Sequence, residues 1–205
     1  MSRGVHPFKT KVNPMAKLIV SNLISLDGYC AGPDGNPGVL PMDAAFDAFN
    51  LDRLRAAGTL LLGRTTFSMF KGFWPTVGAN PAAGPVLREI AELNTAMPKV
   101  VVSDSLKPDG DISWGPVETV ARNQAPARIA ELKARSHRDL LVFGSHVLWN
   151  ELLAQGLVDE LHLIVGPVAL GEGIRAFDRP LNRPLRLLTQ RRLEGSSSVL
   201  LQYAC

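Results

Sequence analysis

Short apolar runs alternate with stretches of helical periodicity along almost the whole chain, and this alternation limits the possible folds more than any other feature. Runs with the length of buried strands cover residues 17–26, 59–62, 99–103, 139–143 and 161–168. Patterns of helical spacing cover residues 43–57, 65–70, 86–97, 126–135 and 146–155. Strands that alternate with helices predict an α/β fold, with a mostly parallel central sheet and helices on both faces.

The last part of the chain breaks this alternation. Residues 185–192 and 197–203 both have strand patterns, and a short segment around Gly195 separates them. A connection so short joins antiparallel strands, so we expect an antiparallel C-terminal pair. Two stretches rich in glycine and proline, residues 32–41 and 75–85, predict long loops within one domain that spans residues 15–205.

Composition indicates a globular domain without a membrane or metal partner. Of the 205 residues, 46% are hydrophobic and 20% are charged, as in ordinary globular proteins. No apolar run approaches the ~20 residues that span a bilayer, and the start has no apolar signal segment. We therefore expect a cytoplasmic protein. Neither Cys30 nor Cys205 has a second cysteine or a histidine at the spacing of zinc ligands, so we expect no metal.

The net charge of +3 lies at the start of the chain rather than over the domain. Residues 1–14 contain Arg3, Lys9 and Lys11 and no acid, and the 22 basic residues less these three equal the 19 acidic ones. Chain ends of this kind are often poorly ordered, so we predict a disordered basic tail over residues 1–14. The neutral body lacks the basic stripe that nucleic-acid binding uses, and we expect no nucleic-acid partner.

One predicted strand ends in a sequence that suits a phosphate group. In open α/β sheets, ligands bind beyond the carboxyl ends of the strands. Gly63 permits close backbone approach at such an end. Arg64, Thr65 and Thr66 then begin a helix with a cation and two hydroxyls, which suit a phosphate dianion. The same residues also suit a simple turn and cap.

Two further strand ends have related features. Gly144 and Ser145 stand between a strand and a helix, where the absent side chain of Gly144 leaves the helix amides open to a pyrophosphate. Ser103 ends another strand and offers a hydroxyl. NADPH has both an isolated ribose phosphate and a pyrophosphate, and an arginine indicates preference for the phosphorylated cofactor. Two such anion sites therefore predict NADPH binding.

Short motifs in a consistent order resemble those of the riboflavin-type reductases, a branch of the proteins with the dihydrofolate-reductase fold. The resemblance extends from about residue 16 to the end of the chain. The motifs that carry it are Ser25-Leu26-Asp27-Gly28-Tyr29, Leu62-Gly63-Arg64-Thr65-Thr66-Phe67, Pro98-Lys99-Val100-Val101-Val102-Ser103, Phe143-Gly144-Ser145-x-x-Leu148, Gly156-Leu157-Val158-Asp159-Glu160-Leu161 and Pro167-Val168-Ala169-Leu170-Gly171-Glu172-Gly173.

The resemblance implies a role for each strand end. The residues implied to hold the ribose phosphate are Gly63, Arg64, Thr65, Thr66 and Ser103. Those implied to hold the pyrophosphate are Gly144, Ser145, His146 and Val147. The nicotinamide is then expected near residues 23–28. The resemblance also implies a homodimer that transfers a hydride to a small heterocyclic or carbonyl substrate, as in 5-amino-6-(5-phosphoribosylamino)uracil reductase.

The substrate side is open to more than one interpretation. Asp27 is the candidate catalytic residue, as a substrate contact or proton relay, although Asp27-Gly28 is equally a turn sequence. Gly28 and Phe67 are the other candidate substrate contacts. Asp43 and Asp47 fall where dihydrofolate reductases have a substrate-binding acid, but they also suit ordinary acids at a helix start. His137 and His162 have no evident partner in the sequence.

Two neighbouring positions depart from the family pattern. Reductases of the riboflavin pathway usually have an acid before a Gly-Gly pair, and this chain has Phe143 there, with Ser145 as the second member of the pair. Two alternatives therefore stay open beside the riboflavin-type reductase. One is a dihydrofolate reductase, and the other is a nucleotide-binding homologue without catalytic activity.

Overall fold

Ten strands and five α-helices form in the part of the chain that the computed structural model describes, which is residues 15–106, 113–181 and 183–205. The strands are β1 (Leu18–Ile24), β2 (Tyr29–Ala31), β3 (Ala57–Gly63), β4 (Lys99–Val102), β5 (Val117–Val120), β6 (Asp139–Phe143), β7 (Glu160–Val165), β8 (Ile174–Arg175), β9 (Arg186–Arg192) and β10 (Val199–Ala204). The helices are α1 (Ala44–Ala56), α2 (Arg64–Ala79), α3 (Pro85–Ala96), α4 (Ala125–Arg135) and α5 (His146–Ala154). The predicted tail, residues 1–14, lies outside the described residues.

Eight of the strands form one sheet in the order β5-β4-β3-β6-β1-β7-β10-β9. The pairs from β5 to β7 are parallel, whereas β10 is antiparallel to both β7 and β9. The central strands are continuous apolar runs because both faces of a parallel sheet are covered. All four residues of β4, for example, are buried. The predicted mostly parallel sheet with an antiparallel C-terminal pair is confirmed.

Side chains that alternate along β1 enter two separate cores. Leu18 and Val20 pack with residues of α4 and α5 on one face, including the fully buried Trp149. Ile19 packs on the other face with residues of α1, α2 and α3, among them Leu54. The two layers of helices hold the sheet rigid, so its carboxyl edge is a fixed platform.

Three details differ from the sequence prediction. The loop predicted over residues 75–85 begins later, because α2 continues through Pro75 to Ala79. The rings of Phe70 and Trp74, which pack edge to face with centroids 6.0 Å apart, stabilise this end of the helix. β7 ends at Val165 instead of residue 168, because Pro167 has no amide to donate to a strand ladder. β5 and the β2–β8 ribbon were not predicted.

His162 has partners that the sequence did not reveal. It is 1% exposed in the middle of β7, where its ring lies 2.9 Å from a carboxylate oxygen of Glu160 and 3.2 Å from the amide nitrogen of Gln202. Burial lowers the pKa of His162, although the Glu160 carboxylate opposes this effect. The histidine is therefore a neutral part of the sheet at pH 7.

Neither a membrane span nor a metal cluster is found in the described ranges. No helix there is both long and apolar enough to cross a bilayer. No group of three or more His, Cys, Asp and Glu side chains there is placed to hold a metal ion. All seven residues of β9, at the open edge of the sheet, are exposed. No contact with a second copy of the chain is described, so the homodimer stays a prediction.

Candidate functional site

The three strand ends that the sequence singles out lie side by side at the carboxyl edge of the sheet. β3 is bonded to β4 on one side and to β6 on the other, all in parallel. Gly63 is the register partner of Val102, so Arg64, which begins α2, and Ser103, which begins the loop after β4, follow adjacent strand ends. Because the carboxyl ends of parallel strands meet at one edge, the arrangement matches the ligand-binding edge of open α/β sheets.

The first of two candidate anion sites, called the anion sites below, is the amino end of α2. Gly63 precedes the helix in an extended conformation and provides no side-chain cap. The first amides of the helix, which have no partner within it, are therefore available to a ligand. Arg64 and Thr65 are exposed here, and Thr66 is buried beneath them. A helix terminus with an arginine on its first residue suits a phosphate group.

The second anion site is the amino end of α5. Gly144 has a φ of 52° and Ser145 a φ of 47°, and Ser145 is the one non-glycine residue with positive φ among the described residues. A left-handed conformation costs a serine about 1–2 kcal/mol, so the surrounding structure must compensate for it. A side chain on Gly144 would meet two atoms of Thr66 at 3.4 Å. This is an ordinary contact, so the positive φ of Gly144, rather than lack of space, favours glycine before α5.

Two hydrogen bonds join the two sites. The amide of Ser145 donates to Oγ1 of Thr66, and the amide of Gly63 donates to Oγ of Ser145, each over 3.0 Å. Both amides are thereby occupied by the protein. The donors left for an anion at the start of α5 are the amides of His146 and Val147, because first-turn amides have no partner within the helix. Burial lowers the pKa of His146, although Asp178 opposes this effect.

Ser103 shapes the loop after β4. Its buried hydroxyl accepts the amides of Ser105 over 3.2 Å and Leu106 over 3.0 Å. This arrangement is a turn built on a serine side chain. The oxygen of this hydroxyl accepts the turn amides, and its proton can still be donated to a ligand. The predicted contact of Ser103 with a ribose phosphate therefore stays a prediction.

Asp27 fastens two loops together instead of lying free as an acid. One carboxylate oxygen accepts the hydroxyl of Ser25 over 2.5 Å and the amide of Leu170 over 3.1 Å, and the other accepts the amide of Gly171 over 2.7 Å. These bonds, led by the one from Ser25, lower the pKa of Asp27 to about 2. A carboxylate of this kind holds no proton at neutral pH. Gly28 follows it with a φ of 85°, which favours glycine.

Phe67 lies below the site and does not face a ligand. It is 1% exposed, and its ring packs against Trp114 with centroids 6.0 Å apart. Its place in the core formed by α1, α2 and α3 leaves no surface for a substrate. The expectation of a substrate contact at Phe67 is therefore corrected to a supporting role, because this side chain anchors the first turn of α2.

The two acids of α1 have different environments. Asp43 caps the helix by accepting the amides of Ala45 and Phe46 and the hydroxyl of Ser196, so its interpretation as a helix acid is confirmed. Asp47, one turn later, is half-buried and makes no hydrogen bond through its carboxylate among the described residues. Burial and the nearby charge of Asp43 raise the pKa of Asp47 to about 6.

The sequence left Asp47 open between a substrate-binding acid and an ordinary helix acid, although one signal favoured a chemical role. The residues one helical turn away, Asp43, Asn50 and Leu51, include no cation that neutralises it. α1 leads directly into β3, so its amino-terminal half lies near the carboxyl edge of the sheet. Asn50, in the next turn, contacts Ser21 of β1, with 3.4 Å between Oγ and Oδ1. Asp47, one turn nearer the amino end of α1, thus lies towards the carboxyl end of β1.

The chain has relatives over nearly its whole length. The family model of the RibD C-terminal domain matches residues 16–200. The protein YyaP of Bacillus subtilis (strain 168) is 26% identical over 161 residues, which are 78% of this chain and 80% of YyaP.

Solved structures share the fold. A putative riboflavin biosynthesis protein from Shewanella sp. PV-4 gives a TM-score of 0.64 at 23% identity, over 92% of this chain and 98% of that one. A Thermotoga maritima diaminohydroxyphosphoribosylaminopyrimidine deaminase/5-amino-6-(5-phosphoribosylamino)uracil reductase gives 0.67 at 12%, over 93% of this chain and 56% of that one. Dihydrofolate reductase from Enterococcus faecalis, complexed with NADP(H), gives 0.56 at 16%, over 92% and 95%. The predicted dihydrofolate-reductase-like fold is confirmed.

Proposed function

Because the chain belongs to the family of RibD C-terminal reductase domains, we propose that it is an NADPH-dependent reductase of a small heterocyclic or carbonyl substrate. One observation carries the proposal: two helix amino ends, one with Arg64, lie at one edge of the sheet and are bonded through Ser145. Two linked anion sites of different character suit the ribose phosphate and the pyrophosphate of one dinucleotide.

The order of the strands matches the order of the parts of such a cofactor. The neighbours in the sheet are β4, β3, β6 and β1. A ribose phosphate bound between β4 and β3, at Arg64, is followed by a pyrophosphate at the end of β6, on the amides of His146 and Val147. The next strand is β1, so the nicotinamide reaches residues 23–28. When bound, the cofactor supplies a hydride, while this chain orients the two reacting rings.

A carbonyl or imine that receives a hydride also requires a proton. Asp27 does not suit this task, because three hydrogen bonds hold it as a carboxylate. Asp47 suits it better: its carboxyl has no hydrogen-bond partner among the described residues, and its pKa of about 6 leaves a protonated fraction near neutral pH. We assign proton donation to Asp47 and loop positioning to Asp27.

The substrate is proposed as a class rather than one compound. The Thermotoga relative is named as a reductase of 5-amino-6-(5-phosphoribosylamino)uracil, which supports a nitrogen heterocycle. Phe143, which stands where riboflavin-pathway reductases usually have an acid, is buried. An aromatic side chain there cannot pair with a pyrimidine as an acid does, so the class includes other flat heterocycles and carbonyls.

Cofactor oxidation across a panel of acceptors tests the proposal. NADPH binding is measured first by fluorescence titration, and its oxidation is then followed with pterins, pyrimidines and quinones. We expect saturable NADPH binding and oxidation with at least one class. Dihydrofolate turnover that an antifolate inhibits would instead indicate a dihydrofolate reductase, and binding without any turnover would indicate a non-catalytic homologue. Failure to bind NADPH would contradict all three.

A further inference from the structure

The hydroxyl oxygens of Ser145 and Thr66 each accept a hydrogen bond from a backbone amide of the other anion site. Oγ1 of Thr66, on α2, accepts the amide of Ser145, while Oγ of Ser145, before α5, accepts the amide of Gly63. The two bonds run in opposite directions between the junction of β3 with α2 and the turn that precedes α5. We name this pair of bonds the Ser145–Thr66 clamp.

The conformation of Ser145 indicates that the clamp is more than ordinary capping. A serine before a helix usually caps that helix with its own hydroxyl, but Ser145 makes no such bond to α5. It also has a φ of 47°, where a glycine would be unstrained. The hydroxyl of this strained serine is directed to the other loop instead.

We propose that Ser145 and Thr66 are positioning residues that fix the spacing between the two anion sites, so that a ligand with two anionic groups binds far more tightly than its separate halves. This inference rests on the proposed function. Each hydroxyl acts as an acceptor in the clamp, which holds one helix start against the other through protein atoms alone. A preorganised pair of sites does not have to be ordered by the ligand.

The physical basis is the effective concentration of the second group once the first is bound. That concentration is high only when the two sites are held at the separation that the ligand spans. If the clamp is broken, each helix start keeps its own amides, so a ligand with one anionic group binds as before. Only a two-site ligand then loses affinity.

Three ligands and four variants test the clamp. The ligands are NADPH, adenosine 2′-monophosphate for the first site and nicotinamide mononucleotide for the second, with dissociation constants measured by calorimetry. Thr66→Val and Ser145→Ala each remove one bond, and Thr66→Ser retains the acceptor. Thr76→Val is the matched control, because it removes a hydroxyl on the same helix whose one hydrogen bond within the described ranges goes to the carbonyl of Phe73. Thermal melting verifies that each variant is folded.

We expect Thr66→Val and Ser145→Ala to raise the dissociation constant of NADPH about tenfold. The dissociation constants of the two mononucleotides should rise by no more than about twofold. Thr66→Ser should bind NADPH as the parent does, because it retains the acceptor. Thr76→Val should leave the dissociation constants of all three ligands unchanged. An equal loss for NADPH and one mononucleotide would overturn the inference, since the hydroxyl is then a direct ligand. Unchanged NADPH affinity in both clamp variants would overturn it as well. An unmodified protein that does not bind NADPH would refute the proposed function itself, which the other two outcomes leave standing.

Discussion

The carboxylate of Asp27 accepts the backbone amide of Gly171 over 2.7 Å, across 144 residues of sequence. Together with the bond from Leu170, this contact fastens the loop after β1 to the loop after β7. The expected nicotinamide region, residues 23–28, is therefore held in place by a carboxylate to which we assign loop positioning rather than proton transfer.

Asp27→Asn tests this assignment through the pH dependence of the rate. The pKa of Asp27 is about 2, so it does not titrate where the enzyme is assayed. We expect the variant to keep the shape of the pH profile of kcat/KM above about pH 4, while its KM rises because one amide loses its acceptor. The low pKa of Asp27 also makes the stability of the folded protein depend on pH. A depressed pKa adds stability that is present above about pH 4 and is lost as the pH falls towards about 2. If the change of rate near neutral pH disappears in Asp27→Asn, then Asp27 and not Asp47 is the proton donor.

Asp47→Asn is the companion substitution. If protonated Asp47 is the acid, kcat/KM falls as the pH rises through about 6. The variant loses this limb, and its kcat is lower by about 10²-fold or more, as expected for a lost proton donor. Steady-state rates over the pH range provide the measurement. A variant with the full rate and the parent limb would refute proton donation by Asp47.

The same substitution has an opposite effect on stability. A raised pKa means that the folded protein keeps its proton more strongly than the unfolded chain does. Stability is therefore lost as the pH rises from about 3.8 to about 6. At neutral pH, Asp47→Asn should stabilise the fold by at most about 1 kcal/mol, after allowance for solvent screening of a half-exposed group. Thermal melting of both proteins at acid and neutral pH measures the difference, which vanishes at the acid end. A lower melting temperature for the variant at neutral pH would contradict this account.

His162 predicts a loss of stability in acid. Its pKa is lowered by burial, so the unfolded chain takes up a proton first as the pH falls. Stability from this group is complete above about pH 6.5 and is lost as the pH falls through the lower folded pKa. We expect His162→Gln to flatten the dependence of the melting temperature on pH between neutral and mildly acid conditions. A slope equal to that of the parent would show that Glu160 compensates for the burial in full.

Gly144→Val is expected to close the second anion site. Valine is strained at a φ of 52°. A Cβ at this position already lies 3.4 Å from Thr66, and the two methyl groups of valine extend further. We expect NADPH affinity to fall severely. Gly156→Val serves as the strain control, because Gly156 also has a positive φ but follows the carboxyl end of α5, where a Cβ would meet the end of the Arg183 side chain at an ordinary 3.7 Å. Circular dichroism and melting establish folding. A folded Gly144→Val variant that binds NADPH like the parent would show that the second site is misassigned.

The strand ends were predictable because they depend on local patterns. A buried strand followed by Gly63 and Arg64, or by Gly144, is visible in a few residues of sequence, and the carboxyl edge follows from the alternation of strands and helices. The contacts that give these residues their roles are not local. Ser145 meets Thr66 across 79 residues, and no pattern in either segment indicates the partner.

Short elements and burial account for the remaining differences. β2 and β8 have three and two residues, too few for a period to be recognised. Phe67 and Thr65 are two residues apart on α2, yet one is in the core and the other is exposed. That distinction depends on which face of the helix meets the sheet. The pKa of Asp47 likewise depends on burial that only the packed structure defines.

The most direct test of the account is the preference between two cofactors that differ by one phosphate group. The dissociation constants of NADPH and NADH are measured by calorimetry for the parent protein and for Arg64→Ala. A charge-assisted contact contributes about 1.5–3 kcal/mol, so the parent should bind NADPH at least about tenfold more tightly than NADH. Arg64→Ala should remove most of that difference and leave NADH affinity nearly unchanged. Equal affinity of the parent for the two cofactors would contradict the assignment of the ribose phosphate to Arg64, and with it the proposed arrangement of the cofactor along this edge.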